Sequence, residues 1–173
     1  MKNFHSKALS FGDNNTVIAL SETEAGKLFK DDTRSDIGSE AEKMKFANSI
    51  NDLVVKFLRL EVFGEDSEML VMERLFPYDF RAFEYEKREL FFDVFESELE
   101  QLHKAGFVHR DLRRPSDMPG LTFDNVFLTN TGIRLIDVGI SAVKTQVGPK
   151  LFDRFVEQER KELEAFRSFF LSR

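Results

Sequence analysis

Three polar residues in the stretch HKAGFVHRDLRRPSDMPGLTFDNVFLTNTGIRLIDVG, residues 103–139, have types and an order suited to phosphoryl transfer. A hydroxyl that attacks phosphorus needs a carboxylate to orient it or accept its proton. The phosphate charge needs a divalent cation held by oxygen donors. Asp111, directly after His109 and Arg110, is the candidate for the first task, and Asn125 and Asp137 are the candidates for the second. Each also has a plainer role: either Asp can cap a turn, and Asn125 can close an Asx-turn in FDNV. Asp124 is an alternative cation ligand beside Asn125.

These residues need a scaffold. From Glu84 to Lys104, Phe91, Phe92, Phe95, Leu99 and Leu102 recur at helical spacing, predicting a long amphipathic helix that ends at Gly106 and delivers VHRDL. NVFL and IRLI flank TNTG, which predicts a hairpin ending at Asp137. The closing segment LFDRFVEQERKELEAFRSFFLSR brings Phe152, Phe155, Val156, Leu163, Phe166, Phe169 and Phe170 near one helical face, so it should pack as a terminal helix. Upstream, KALSF, TVIAL and AGKLF read as a three-strand meander with GDNN and SETE as turns. LVVKFLRLEVFG and SEMLVMERLF read as a hairpin around Gly64, Glu65 and Asp66. Between them a helix is expected over about 38–49, with Met44, Ala47 and Ile50 on one face. FPYDF breaks the pattern, because Pro77 disfavours helix at Phe76.

In this order the elements and motifs resemble the protein-kinase superfamily over residues 9–141. VHRDL (108–112) resembles the catalytic loop, FDNVFL (123–128) its metal-binding end, and LIDVG (135–139) the metal-binding turn. The resemblance implies an α+β fold of two lobes. Residues 1–75 would form a five-stranded antiparallel N-lobe with one helix, and residues 76–173 a truncated, mainly helical C-lobe. It also implies ATP and Mg²⁺ or Mn²⁺ as cofactors, with a protein or small-molecule hydroxyl as acceptor. EAGKLF (24–29) resembles the third-strand motif whose Lys contacts the α- and β-phosphates, which nominates Lys27, with Lys30 as competitor. The helix Glu that pairs with it would be Glu42, with Glu40 as alternative. LVMERL (70–75) resembles the hinge strand, with Met72 limiting the adenine pocket and backbone groups from Glu73 to Leu75 bonding the adenine edge. Arg113 falls where a group reaches the transferred phosphate.

Departures from the family pattern are specific. SFGDNNTVIAL has one glycine, Gly12, where the phosphate-covering loop is usually glycine-rich, and Asn14 and Asn15 would have to supply the turn. RRPSDMPGLTFD inserts Pro115, Pro119 and Gly120 between Asp111 and Asn125. Ser116 stands at the unextended position, and Val138 replaces a Phe. After Gly139 only ISAVKTQVGPK precedes the last helix, with no counterpart of the usual peptide platform. The expected activity is therefore ATP-dependent transfer to a hydroxyl by a minimal protein kinase, on Ser/Thr rather than Tyr. A small-molecule or sugar kinase and a pseudokinase-like binding module are the alternatives. Ser141 and Thr145 are candidate autophosphorylation sites.

At 173 residues the chain suits one domain or two small lobes and is short for a complete protein kinase. The 20 Phe and absence of Trp mean that Phe must fill the core. A net charge of -6 argues against general binding of nucleic acid or an anionic membrane. No apolar run reaches the roughly 18 residues of a membrane span, and the N-terminus lacks a signal-like apolar segment, so a cytoplasmic protein is expected, or an effector delivered to another cell. Without Cys there are no disulfides, thiolate nucleophiles or zinc–thiolate sites.

Overall fold

In the computed structural model, residues 8–11, 15–29, 36–64, 67–115 and 122–173 are described. Five antiparallel strands build the N-terminal sheet: β1 (Ala8–Phe11), β2 (Asn15–Ala19), β3 (Glu24–Phe29), β4 (Phe57–Phe63) and β5 (Ser67–Glu73). Their order is β1-β2-β3-β5-β4: the expected meander β1-β2-β3 and hairpin β4-β5 are both present, and β5 pairs with β3 to join them. Register places Val17, Lys27, Leu70 and Leu60 side by side across four strands, so Lys27 lies on the face that carries Leu70 into the core. Helix α1 (Ile37–Asn48) covers that face, starting at Asp36, whose carboxylate accepts the Ser39 N–H at 2.7 Å.

LVVKF does not continue β4 as one long strand. Leu53 and Val54 are fully buried, Val54 bridges Leu135, and Val55 N–H donates to the Leu135 carbonyl at 2.8 Å. This segment crosses from the sheet to the second half of the molecule, and its apolar run reflects burial there rather than strand pairing.

That half is mainly helical. α2 (Tyr85–Ala105) buries Phe92, Phe95, Leu99 and Leu102 and stops at Gly106, whose φ of 95° favours a residue without Cβ. β7 (Val126–Thr129) and β8 (Gly132–Leu135) form the expected hairpin. Two-residue strands β6 (Phe107–Val108) and β9 (Ala142–Val143) pair across the loop segment, and the short α3 (Lys144–Val147) follows; none of the three has enough length to leave a period in the sequence. α4 (Pro149–Phe170) closes the chain.

Phe166 of α4 touches the rings of Phe80, Phe92, Phe95, Phe123 and Phe170, with centroids 5.1–6.3 Å apart, so phenylalanine supplies the core that Trp does not. One cluster of buried side chains runs from Ala41 and Met44 of α1 through α2 to Phe170. The two halves of the chain therefore pack as a continuous body, with the loops after β6 and β8 at its middle. Among the described residues no helix is long and apolar enough to cross a membrane.

Candidate active site

The backbone itself marks two positions. Among the described residues, Arg110 (φ 73°) and Asp137 (φ 56°) are the two non-glycine residues in the left-handed region. Such conformations persist where the surroundings over-determine them and cluster at functional sites. Both lie in the motifs singled out from sequence.

His109 fixes the first loop. It is fully buried, its Nδ1 accepts the Asp111 N–H at 3.3 Å, and its Nε2 therefore donates to the Ile136 carbonyl at 2.8 Å. This ties the position two before Asp111 to the residue before Asp137. Asn125 completes the link: its carboxamide donates to Asp111 Oδ2 at 2.9 Å and to the Asp111 carbonyl at 3.1 Å, while its own carbonyl accepts Ile136 N–H at 3.0 Å. The long insertion does not separate Asn125 from Asp111. Its base is closed by Arg114, which gives its N–H to the Thr122 carbonyl at 2.8 Å and its guanidinium to Asp124. Asp124 is thus engaged structurally. Burial, with the nearby Asp137 and Asp124 charges, raises the Asp111 carboxyl above its ordinary value, against His109 and the Asn125 hydrogen bond.

Lys27 sits between two carboxylates. Its Nζ is 2.7 Å from Glu40 Oε1 and 3.2 Å from Asp137 Oδ1, and its side chain is 5% exposed. Glu42 does not take the place expected of it. It lies on the solvent side of α1, where it pairs with Lys45 at 2.8 Å, and the partner of Lys27 is Glu40. Residues two apart on a helix differ by about 200° around its axis, so only one of the two can face β3. Burial opposes charge on Lys27, yet Asp137 and Glu40 hold its ammonium above the ordinary value. Burial also works against Asp137 ionisation and is outweighed by Lys27 and the Gly139 N–H, which bonds Asp137 Oδ1 at 3.1 Å; the carboxyl lies below its usual range. Burial and the Asp137 charge raise Glu40 against the pull of Lys27. One ammonium shared by two carboxylates leaves a net negative charge.

Two further carboxylates were not anticipated. Glu159 of α4 is fully buried; its Oε1 is 2.8 Å from His103 Nε2 and 3.4 Å from the His109 nitrogen, and its Oε2 accepts the Arg110 N–H. Glu162, one turn on, accepts the Leu112 and Arg113 N–H groups at 3.2 and 3.3 Å. Four of the five amides from His109 to Arg113 therefore end on α4, the Asp111 N–H alone going to His109 Nδ1. The strained Arg110 backbone is held in this way, and its guanidinium stacks 3.7 Å from the Phe155 ring centroid and donates to the Ile140 carbonyl. Lys43 of α1 donates to the Gly139 carbonyl at 3.0 Å, a second tie between α1 and the Asp137 turn. Val138, in place of a larger Phe, is buried in the main core.

Arg113 is exposed beside Asp111. At the end of β5 the Glu73 N–H donates to the Lys56 carbonyl, and the Arg74 N–H to the Thr23 carbonyl, both at 2.9 Å. The Glu73 side chain accepts from Lys56 N–H and from Arg134. Of the three N–H groups nominated for a nucleotide base, that of Leu75 alone has no partner among the described residues. Met72 is partly buried against the core. Gly12, Asn14, Lys30, Ser116, Pro119 and Gly120 lie outside the described residues, as does the side chain of Asn15.

The donor set suits a hard cation. The Asn125 amide nitrogen and Asp137 Oδ1 are committed, which leaves the Asn125 Oδ1 and Asp137 Oδ2 oxygens as ligands near an unneutralised carboxylate, Asp111. Among the described residues no group of three or more His, Cys, Asp or Glu could hold a metal. A cation that is ligated by one or two protein oxygens and completed by phosphates and water needs no such cage.

No family model and no curated protein sequence matches the chain. Solved structures do. The Cydia pomonella granulovirus kinase PK-1 is similar with a TM-score of 0.56 and 15% identity, over 79% of this chain and 53% of that one. The Legionella pneumophila kinase Lpg2603, in a structure bound to IP6, is similar with a TM-score of 0.66 and 17% identity, over 95% of this chain and 60% of that one. The chain thus spans a little over half the length of these structures. The fold is a divergent protein-kinase-like fold, with an antiparallel N-terminal sheet and a helical C-terminal part.

Proposed function

We propose that this kinase-folded chain is a phosphotransferase that moves the γ-phosphoryl group of ATP to a hydroxyl, with a protein Ser/Thr as the first candidate acceptor. One observation carries the reading. Lys27, Glu40, Asp111, Asn125 and Asp137 come from a strand, a helix and two loops, and hydrogen bonds and one shared ion-paired ammonium join them into two contiguous sets bridged by His109 and Ile136. A chain that needed only this fold for docking has no use for so many buried or half-buried charges at one point.

In this reading Lys27, oriented by Glu40, binds nucleotide phosphate oxygens. The Leu75 N–H and neighbouring carbonyls meet the adenine edge. Asn125 and Asp137 hold Mg²⁺, which when bound neutralises phosphate charge. Asp111 accepts or orients the acceptor hydroxyl, and the proton affinity that burial raises favours its taking up the hydroxyl proton. Arg113 offers a guanidinium to the transferred group. Glu159 and Glu162 keep the Asp111 loop in its left-handed turn and are positioning residues.

A small-molecule acceptor is the second reading. It is favoured by the short passage from Gly139 through β9 and α3 into α4, a segment too short to hold an extended peptide beside the Asp137 turn. The test is a thermal shift with ATP, with and without Mg²⁺. A Mg²⁺-dependent rise in wild type that disappears in Asp137→Ala supports the phosphotransferase, and a panel of protein and metabolite acceptors then separates its two forms. No ATP-dependent rise would favour a binding module.

A further inference from the structure

The end of the molecule away from Asp111 carries a second polar site. α2 begins and α4 ends there, and a pocket of about 560 Å³ is lined by Arg81, Arg88 and Arg173 and, at the helix start, by Glu84, Tyr85 and Glu86. That volume is in the range of small-molecule sites. Arg88 is 6% exposed, and its Nε, itself buried, has no hydrogen-bond partner. Among the described residues no carboxylate lies within ion-pair distance of Arg81, Arg88 or Arg173. Arg88 donates to the Phe170 and Ser172 carbonyls, and Arg81 to those of Phe169 and Phe170, so part of their donor capacity caps α4. Carbonyl dipoles do not supply the counter-charge that a buried guanidinium ordinarily has. The Tyr85 ring centroid is 5.7 Å from the Arg88 guanidinium and 5.8 Å from that of Arg173. α2 adds its own first-turn N–H groups, since Glu84 at the N-cap makes no side-chain cap.

We propose that this pocket binds a free phosphorylated small molecule through its phosphoryl oxygens. Arg88 supplies the guanidinium N–H groups that the α4 carbonyls leave free, Arg81 and Arg173 the flanking donors, and the first turn of α2 the backbone N–H groups. Glu84 and Glu86 offset much of the local charge, so recognition rests on directed donors rather than on a general positive field. A phosphate on a membrane surface cannot reach a guanidinium so little exposed, which selects a soluble ligand. The site lies about 16 Å along α4 from Glu159 to Phe170, at 1.5 Å per residue, and does not depend on the phosphotransferase reading.

Thermal unfolding with sodium pyrophosphate tests the proposal, in EDTA and at constant ionic strength, with sodium sulfate at matched concentration as the control for non-specific salt effects. At one hundred times the dissociation constant, binding to the folded state raises Tm by roughly 5–10 °C. The rise is expected in wild type and in Lys27→Met, whose alteration lies in the candidate active site, and is expected to be lost in Arg173→Ala and in Arg88→Lys. If Arg88→Lys does not fold, Arg81→Lys takes its place. Arginines that only cap α4 give a lower starting Tm in the variants and no rise with pyrophosphate in wild type. That result, a rise equalled by sulfate, a rise kept in any folded arginine variant, or one lost in Lys27→Met overturns the proposal.

Discussion

Replacing Glu40 and Glu42 separately by Ala distinguishes two carboxylates that are two residues apart. Glu40 and Lys27 are 2.7 Å apart, with side chains 2% and 5% exposed. Removing one partner of such a pair leaves a buried charge, which costs about 3–5 kcal/mol. Asp137 remains 3.2 Å from the same ammonium but is 44% exposed, so the lower end of that range applies, about 3 kcal/mol. For a domain of this size the loss corresponds to a Tm lower by about 6–12 °C. The Glu42–Lys45 pair is 2.8 Å long, but its side chains are 72% and 49% exposed, and its loss is worth about 0.5 kcal/mol or less. Urea and thermal unfolding of both variants, followed by nucleotide titration, provide the assay. Equal destabilisation, or nucleotide binding weakened by Glu42→Ala and spared by Glu40→Ala, would refute the assignment of Glu40 to Lys27.

Glu159→Gln should leave nucleotide affinity near wild type and lower kcat by about ten- to a hundred-fold, because the amides it holds position Asp111 rather than the nucleotide; paired KM and kcat values check this. Asp111 has its proton affinity raised by burial, so the folded state takes up a proton above the unfolded value of 3.8. Stability then falls as pH rises from 3.8 through the raised value, and Asp111→Asn should remove that fall in pH-resolved urea titrations while abolishing turnover. Asp137 behaves oppositely. Its lowered carboxyl contributes stability that is complete above 3.8 and is lost as pH falls through its folded value, so Asp137→Asn should blunt acid unfolding below about pH 4.

The residues missed in the sequence stood in a readable phase. Glu40 is four residues before Met44 and seven before Ala47, the two positions assigned to the buried face of α1, so the helix phase already favours it over Glu42. The spacing from the helix forward to the next strand favours Glu42 instead, but that count depends on loop geometry that spacing does not encode. Glu159 likewise fills the gap between Val156 and Leu163 in an apolar stripe that steps by three and four, and a charge in that slot indicates a buried partner. What the partner is, the backbone amides of a loop some fifty residues upstream, leaves no trace in any local pattern. The five strands of the N-terminal sheet, the hairpin before Asp137 and the three long helices were legible because each runs for at least four residues of apolar-rich or periodic sequence. The crossing of Leu53 and Val54 was not, since a run buried on all sides reads the same whether or not it pairs as a strand.

The most direct test is transfer of the γ-phosphoryl group from labelled ATP with Mg²⁺, run on wild type, Asp111→Asn and Asp137→Ala with a cell lysate as the source of acceptors. The account predicts Mg²⁺-dependent release or transfer of label by wild type alone, with Asp111→Asn still binding nucleotide. Turnover at the wild-type rate in Asp111→Asn or Asp137→Ala, or no consumption of ATP by any of the three, would contradict it.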